Sequence, residues 1–184
     1  DKSIVEVKNV PVVQYVSQGG LSEVILDPNF IENNKIYLSY SAKNSNNKST
    51  LFLMSAELIG NELKNNKVIF EANAPRRTAV HLGAKIAFMQ DGTLLLASGD
   101  GFDHREKAQK LDNHFGKIIR INTDGSIPSD NPFISVKGAL DDIYSYGHRN
   151  MQGLVVLSSG EIYEHEHGPR GGDEINLIKP SLNY

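Results

Sequence analysis

The sequence predicts an all-β protein, built as an arc of a β-propeller. Two observations carry this expectation. Units of apolar strand, polar turn and apolar strand recur at near-constant spacing along the 184 residues, and no segment shows the 3.6-residue apolar period of an amphipathic helix.

The first unit runs from Val24-Ile25-Leu26 through Asp27-Pro28-Asn29 to Ile36-Tyr37-Leu38-Ser39-Tyr40. The second is Lys85-Ile86-Ala87-Phe88, Asp91-Gly92, then Thr93-Leu94-Leu95-Leu96-Ala97. Asp-Gly between apolar runs signals a hairpin, because the tight turn demands positive φ. A shorter unit puts Lys117-Ile118-Ile119-Arg120-Ile121 before Asp124-Gly125, and the last is Leu154-Val155-Val156-Leu157, Ser158-Ser159-Gly160, Glu161-Ile162-Tyr163. Pro28, Gly92 and Gly160 are separated by 64 and 68 residues, and β-prone segments at 50–54 and 67–70 fill the gaps. Each repeat thus has room for four strands, the content of a propeller blade. A β-sandwich fits the local turn spacing as well. Propellers close with roughly four to eight blades. This chain supplies about three, so residues 1–184 read as one partial-propeller domain whose open strand edges invite self-association.

Composition narrows the function. A net charge of -3 leaves no basic footprint for nucleic acid, and no apolar run reaches the ~18 residues of a membrane span. Arg76-Arg77, the densest basic cluster, reads as decoration on a solvated loop. With no cysteine, only oxygen and imidazole ligands remain for a metal. Residues 44–49, 72–78 and 99–110 are polar connections, the kind of loop on which sites are built.

Of the six histidines, His81 stands at a loop-to-strand junction that suits either a general base or a packing residue. His104 and His114 read as surface residues. His148, His165 and His167 lie near a glycine-rich loop, Glu166-His167-Gly168-Pro169-Arg170-Gly171-Gly172-Asp173-Glu174. The His-x-His pair hints at zinc, but further ligands at suitable spacing are missing. The loop offers main-chain carbonyls beside Glu166, Asp173 and Glu174, an oxygen-rich setting for a hard cation such as Ca²⁺. The same acids could equally cap turns or pair with Arg170. Arg149-Asn150 adds donors for an anionic, carbonyl-rich partner.

An ordered set of motifs resembles the glucose/sorbosone dehydrogenase family, and within it the soluble PQQ-dependent aldose sugar dehydrogenases. The set comprises Ser17-Gln18-Gly19-Gly20-Leu21, Leu26-Asp27-Pro28-Asn29-Phe30, His81-Leu82-Gly83, Gly116-Lys117-Ile118-Ile119-Arg120-Ile121 and Ile127-Pro128-Ser129-Asp130-Asn131-Pro132-Phe133. It continues with Tyr144 to Gly153 and Glu166 to Asn176. The resemblance implies a six-bladed β-propeller that binds pyrroloquinoline quinone (PQQ) and Ca²⁺ and oxidises aldose sugars to lactones, passing electrons to an external acceptor. It implies His81 as the base for the sugar C1 hydroxyl and Arg149 as the donor to the quinone oxygen. Gln18 and Asn150 would bind PQQ, and the carbonyls of Gly168 and Pro169 would hold Ca²⁺. It also implies a periplasmic or secreted location and a ring that extends beyond both ends of these residues.

Three positions depart from the family pattern. Ala84 and Lys85 stand where Gly-Arg is usual, and Met151 stands where proline is usual. The first two motivate an alternative, a non-enzymatic propeller that binds a protein or glycan partner.

Overall fold

The computed structural model describes residues 4–184, whose eleven strands form three antiparallel sheets. The first contains β1 (Leu21–Leu26), β2 (Lys35–Lys43), β3 (Ser49–Ile59) and β4 (Glu62–Glu71). The second contains β5 (Gly83–Phe88), β6 (Leu94–Ser98), β7 (Lys117–Ile121) and β8 (Ile143–Tyr146). The third contains β9 (Met151–Val156), β10 (Ile162–Glu166) and β11 (Glu174–Ile178). In every sheet the strands are ordered as in the sequence, each paired with the next, which makes the three sheets consecutive propeller blades. First strands of successive blades are neighbours, β1 beside β5 and β5 beside β9, as strands lining a propeller axis must be. No helix among the described residues is long and apolar enough to cross a membrane.

Pro28, Gly92 and Gly160 each fall in the turn joining the first two strands of a blade, so their spacing is the blade repeat. Gly92 and Gly160 have φ of 83° and 92°, the left-handed conformation that selects glycine. Two turns differ from expectation. The first carries a single helical turn, α1 (Phe30–Asn33), closed by Asn34 at φ 54°. At the third, Asp124-Gly125 does not lead straight into a partner strand; β8 pairs with β7 only after residues 122–142. Lys67 Nζ of β4 donates to Asp124 O, and a Cβ at Gly125 would overlap the Ile69 carbonyl, so this turn docks on the preceding blade. The excursion is bound back onto β7 by Arg120, which donates to Asp91, Asp130 and Asn131.

The core lies between blades. On β6, Leu94 and Leu96 pack with Tyr37, Leu53, Phe115 and Ile119 towards the first blade, whereas Leu95 and Ala97 pack with Ile118, Met151, Ile162 and Ile178 towards the third. Alternate residues enter opposite interfaces, so a strand sandwiched between blades reads as an unbroken apolar run. Burial of each leucine contributes about 1.5–3 kcal/mol. The flanking sheets keep apolar side chains exposed, among them Leu21, Val24 and Leu26 of β1 and Ile175 and Leu177 of β11.

The departures from the family pattern have structural accounts. Ala84 is buried at φ 67°, in a bulge between Gly83 and Ile86, and its carbonyl accepts from Ser39 Oγ at 2.6 Å. Lys85 pairs with Glu23 at 3.5 Å, tying the first strands of two blades together. Met151 is wholly buried at the start of β9, in the interface between the second and third blades.

Candidate functional site

His81 precedes β5 and is itself strained, with φ at 46°. Four contacts hold it there. Its N–H donates to Gln18 Oε1 at 2.8 Å, its carbonyl accepts from Arg76 Nη1 at 3.1 Å, and its Nδ1 lies 2.8 Å from Asp100 Oδ1. Phe102 meets the imidazole edge-on at 5.2 Å. The Asp100 carboxylate is aimed by the Phe102 N–H, which donates to Oδ1 at 2.8 Å, and Asp100 N–H donates to Arg149 O at 2.8 Å. Asp100 therefore connects His81 on the second blade to Arg149 at the entrance of the third.

Asp100 is a candidate site residue that reading the sequence missed. The signal was available: an acid between two glycines, Gly99-Asp100-Gly101, at the end of a fully buried strand. A Cβ at Gly99 would overlap the His81 carbonyl, so the glycine marks a close backbone approach.

Arg149 donates its N–H to Glu166 Oε2 at 2.6 Å and its Nη1 to the His167 carbonyl. Asn150 is buried; its carbonyl accepts the His167 N–H and its Oδ1 accepts Gln152 Nε2. Gly168 N–H donates to Asp173 Oδ1 at 2.9 Å, and a Cβ at Gly168 would overlap the Gly172 carbonyl, which closes the glycine-rich loop on itself.

These residues border two depressions. A cleft of about 510 Å³ is lined by His81, Asp100, Phe102, Arg149, Pro169 and Arg170. Gln18, Leu82, Asn150 and His167 line a second one of about 420 Å³. Gln18 and Asn150 thus lie apart from the His81 cleft, with the Gln18 bond to the His81 backbone as a bridge. Gly168 borders neither.

Two readings of the sequence need correction. Arg76 is not a solvated loop residue: only 1% exposed, it donates to the carbonyls of Ala74 and His81 and lies 5.2 Å over the Phe115 ring. Burial pulls its guanidinium down to about 10, partly offset by Asp100. His114 is not a surface residue either; it is buried, accepts the Asn73 N–H at Nδ1 and meets Asp142 at 2.9 Å through Nε2. Arg76 was hidden because its partners are nearby backbone carbonyls, which leave no signature in the sequence, and His114 because Asn73 and Asp142 are distant along the chain.

His165 and His167 are exposed; His167 Nδ1 lies 3.6 Å from Asp173 Oδ2, but among the described residues neither histidine belongs to a cluster of three possible ligands. Among the described residues the one cluster of three side chains within metal-ligand reach is His148, Glu164 and Glu166. Burial pushes the Glu164 carboxyl up to about 8 and the Glu166 carboxyl up to about 7, and pulls the His148 imidazole down to about 3.

Three consecutive propeller blades thus bring a buried histidine-aspartate pair and an arginine to the wall of one cleft. The Glucose / Sorbosone dehydrogenase family profile matches residues 1–184, and the chain belongs to that family. It is 38% identical over 178 residues to the aldose sugar dehydrogenase YliI of Escherichia coli, covering 95% of this chain and 48% of that protein. The apo crystal structure of the E. coli soluble aldose sugar dehydrogenase superposes with a TM-score of 0.93 at 36% identity, over 98% of this chain and 53% of that one. A PQQ-bound aldose sugar dehydrogenase from Streptomyces coelicolor superposes with a TM-score of 0.80 at 30% identity, over 95% and 50%. The chain spans about half the length of these relatives.

Proposed function

We propose that these blades form the proton-abstracting side of a PQQ-dependent dehydrogenase that oxidises aldose sugars to lactones. The observation that carries this reading is the His81–Asp100 pair in the wall of the cleft that Arg149 also borders. With Asp100 accepting from Nδ1–H, the imidazole lone pair lies on Nε2, the tautomer a general base needs. His81 Nε2 then takes the proton of the sugar C1 hydroxyl as hydride leaves C1, and the lactone carbonyl forms. The Arg149 guanidinium offers positive charge where an oxyanion develops.

PQQ, when bound, supplies the two-electron acceptor, and its electrons pass on to an external acceptor. The residues present fit such a group. A cleft of about 510 Å³ falls within the range of about 300–1,000 Å³ typical of cofactor sites. Arg149 and Arg170 on its wall suit a polyanionic quinone. The carbonyls of Gly168 and Pro169 accept no hydrogen bond from the described residues, leaving hard oxygen ligands for Ca²⁺. Gln18 Oε1 accepts the His81 N–H and the Asn150 carbonyl accepts the His167 N–H, and both residues line the neighbouring depression, within reach of a cofactor that spans the two.

The binding-module alternative loses its motivation, since Ala84 and Lys85 are accounted for by the bulge and the Glu23 pair. The test is steady-state turnover of aldoses by the full-length protein loaded with PQQ and Ca²⁺, with an artificial acceptor. His81→Ala is expected to lower kcat/KM by roughly 10²–10⁴-fold; unchanged turnover would remove His81 from the base role.

A further inference from the structure

We propose that His148, Glu164 and Glu166 form a second metal site, for a divalent cation of the Zn²⁺ class, buried between the second and third blades and separate from the carbonyl seat proposed for Ca²⁺. One ligand atom from each side chain lies within 4.8 Å of the others, and His148 Nδ1 is 3.8 Å from Glu164 Oε1. Tetrahedral ligands on bonds of about 2.0–2.2 Å stand roughly 3.4 Å apart, so a small inward movement closes the set.

The side chains are prepared as ligands. His148 Nδ1 and Glu164 Oε2 are fully buried and have no hydrogen-bond partner among the described residues, which is costly unless a ligand satisfies them. Three other polar atoms of these side chains are engaged by neutral groups that fix orientation. Ser145 Oγ lies 2.8 Å from His148 Nε2, Asn176 Nδ2 donates to Glu164 Oε1 at 2.8 Å, and Arg149 N–H donates to Glu166 Oε2 at 2.6 Å. With Ser145 accepting from Nε2–H, the lone pair sits on Nδ1. The Tyr184 ring stacks on the imidazole at 5.0 Å. Outer partners of this kind are what orients imidazole and carboxylate ligands around a metal.

Among the described residues no protein cation pairs with the two carboxylates. Lys117, which bears on His148, directs its ammonium at the carbonyls of Lys107, Ala108 and Phe115, and the Arg149 guanidinium is turned to the His167 carbonyl. One imidazole with two carboxylates suits Zn²⁺ better than Ca²⁺, which takes oxygen ligands. His148 borders the 510 Å³ cleft, which gives the ion a route in.

The test uses the full chain, stripped with a chelator, without PQQ and in excess Ca²⁺, so that it stands or falls apart from the quinone reading. Titration with Zn²⁺ in a calorimeter is expected to show one tight equivalent, weakened more than tenfold in Glu164→Gln and in His148→Gln and unchanged in His165→Ala. Should a variant fail to fold, Co²⁺ bound to the unaltered chain gives a second reading: intense visible bands of a four-coordinate ion are expected. Absence of a stoichiometric site, binding undiminished by Glu164→Gln, binding lost in His165→Ala, or the faint spectrum of a six-coordinate Co²⁺ would each overturn the proposal.

Discussion

Asp100 Oδ1 stands 2.8 Å from His81 Nδ1 and receives the Phe102 N–H at the same distance, so one carboxylate oxygen is fixed by a backbone donor before it engages the imidazole. An amide in its place can present its NH₂ to Nδ1 and move the imidazole proton to Nε2. Asp100→Asn is therefore expected to lower kcat/KM by about 10²-fold or more while KM changes little. Steady-state kinetics of the PQQ-loaded protein checks this, and a pure KM effect would contradict it.

Gly99 is the point where the strand end passes the His81 carbonyl. A methyl there overlaps that oxygen and comes within 3.1 Å of Arg149 O. Gly99→Ala should cost about 2–3 kcal/mol of stability. It should also depress turnover beyond the fraction unfolded, because both proposed reacting groups share this contact. Thermal unfolding followed by circular dichroism, together with activity measured well below the midpoint, separates the two effects.

Lys117 gives a pH dependence of definite sign. Burial pulls its ammonium down to about 7 in the folded chain from the ordinary 10.5. Between those values the unfolded chain binds one more proton than the folded chain at this site, so stability rises with pH there. Below pH 7 the full cost of the buried charge is present, on the order of a few kcal/mol. Compared with Lys117→Met, the unaltered chain should gain stability between about pH 7 and 10.5. Denaturant midpoints measured across that range check it, and parallel curves for the two proteins would refute it.

Gly168 closes the loop whose carbonyls are proposed to seat Ca²⁺. Gly168→Ala would force the backbone off the Gly172 carbonyl and turn those oxygens away. The Ca²⁺ concentration needed for half-maximal turnover should rise more than tenfold, whereas Pro169→Ala, which keeps the carbonyl, should shift it much less.

The blades were legible because their signals are local. Asp91-Gly92 and Ser159-Gly160 specify turns by backbone conformation, and β6 announces its double burial as an apolar run. The Asp124-Gly125 turn misled because its fate is decided by Lys67 and Ile69 of another blade. Of the site, His81, Arg149 and the glycine-rich loop could be named from the sequence. Asp100 left only the trace of its flanking glycines, because its role rests on contacts with His81 and Arg149 far along the chain, and Arg76 left none, because its partners are backbone carbonyls. The alternation of buried Ile162, Glu164 and Glu166 with less buried Tyr163 and exposed His165 was there to be read, and it places both acids on the inward face of β10.

The backbone hydrogen bond from Asp100 N–H to Arg149 O has a mechanical consequence. A rigid rotation of the third blade against the second would have to break it, and would separate the proposed base from the guanidinium in the same movement. Under the proposed function, sugar entry and product exit fall to the loops at the rim, such as the turn carrying Phe102 and the segment Pro169-Arg170, while the blades behave as a fixed jig.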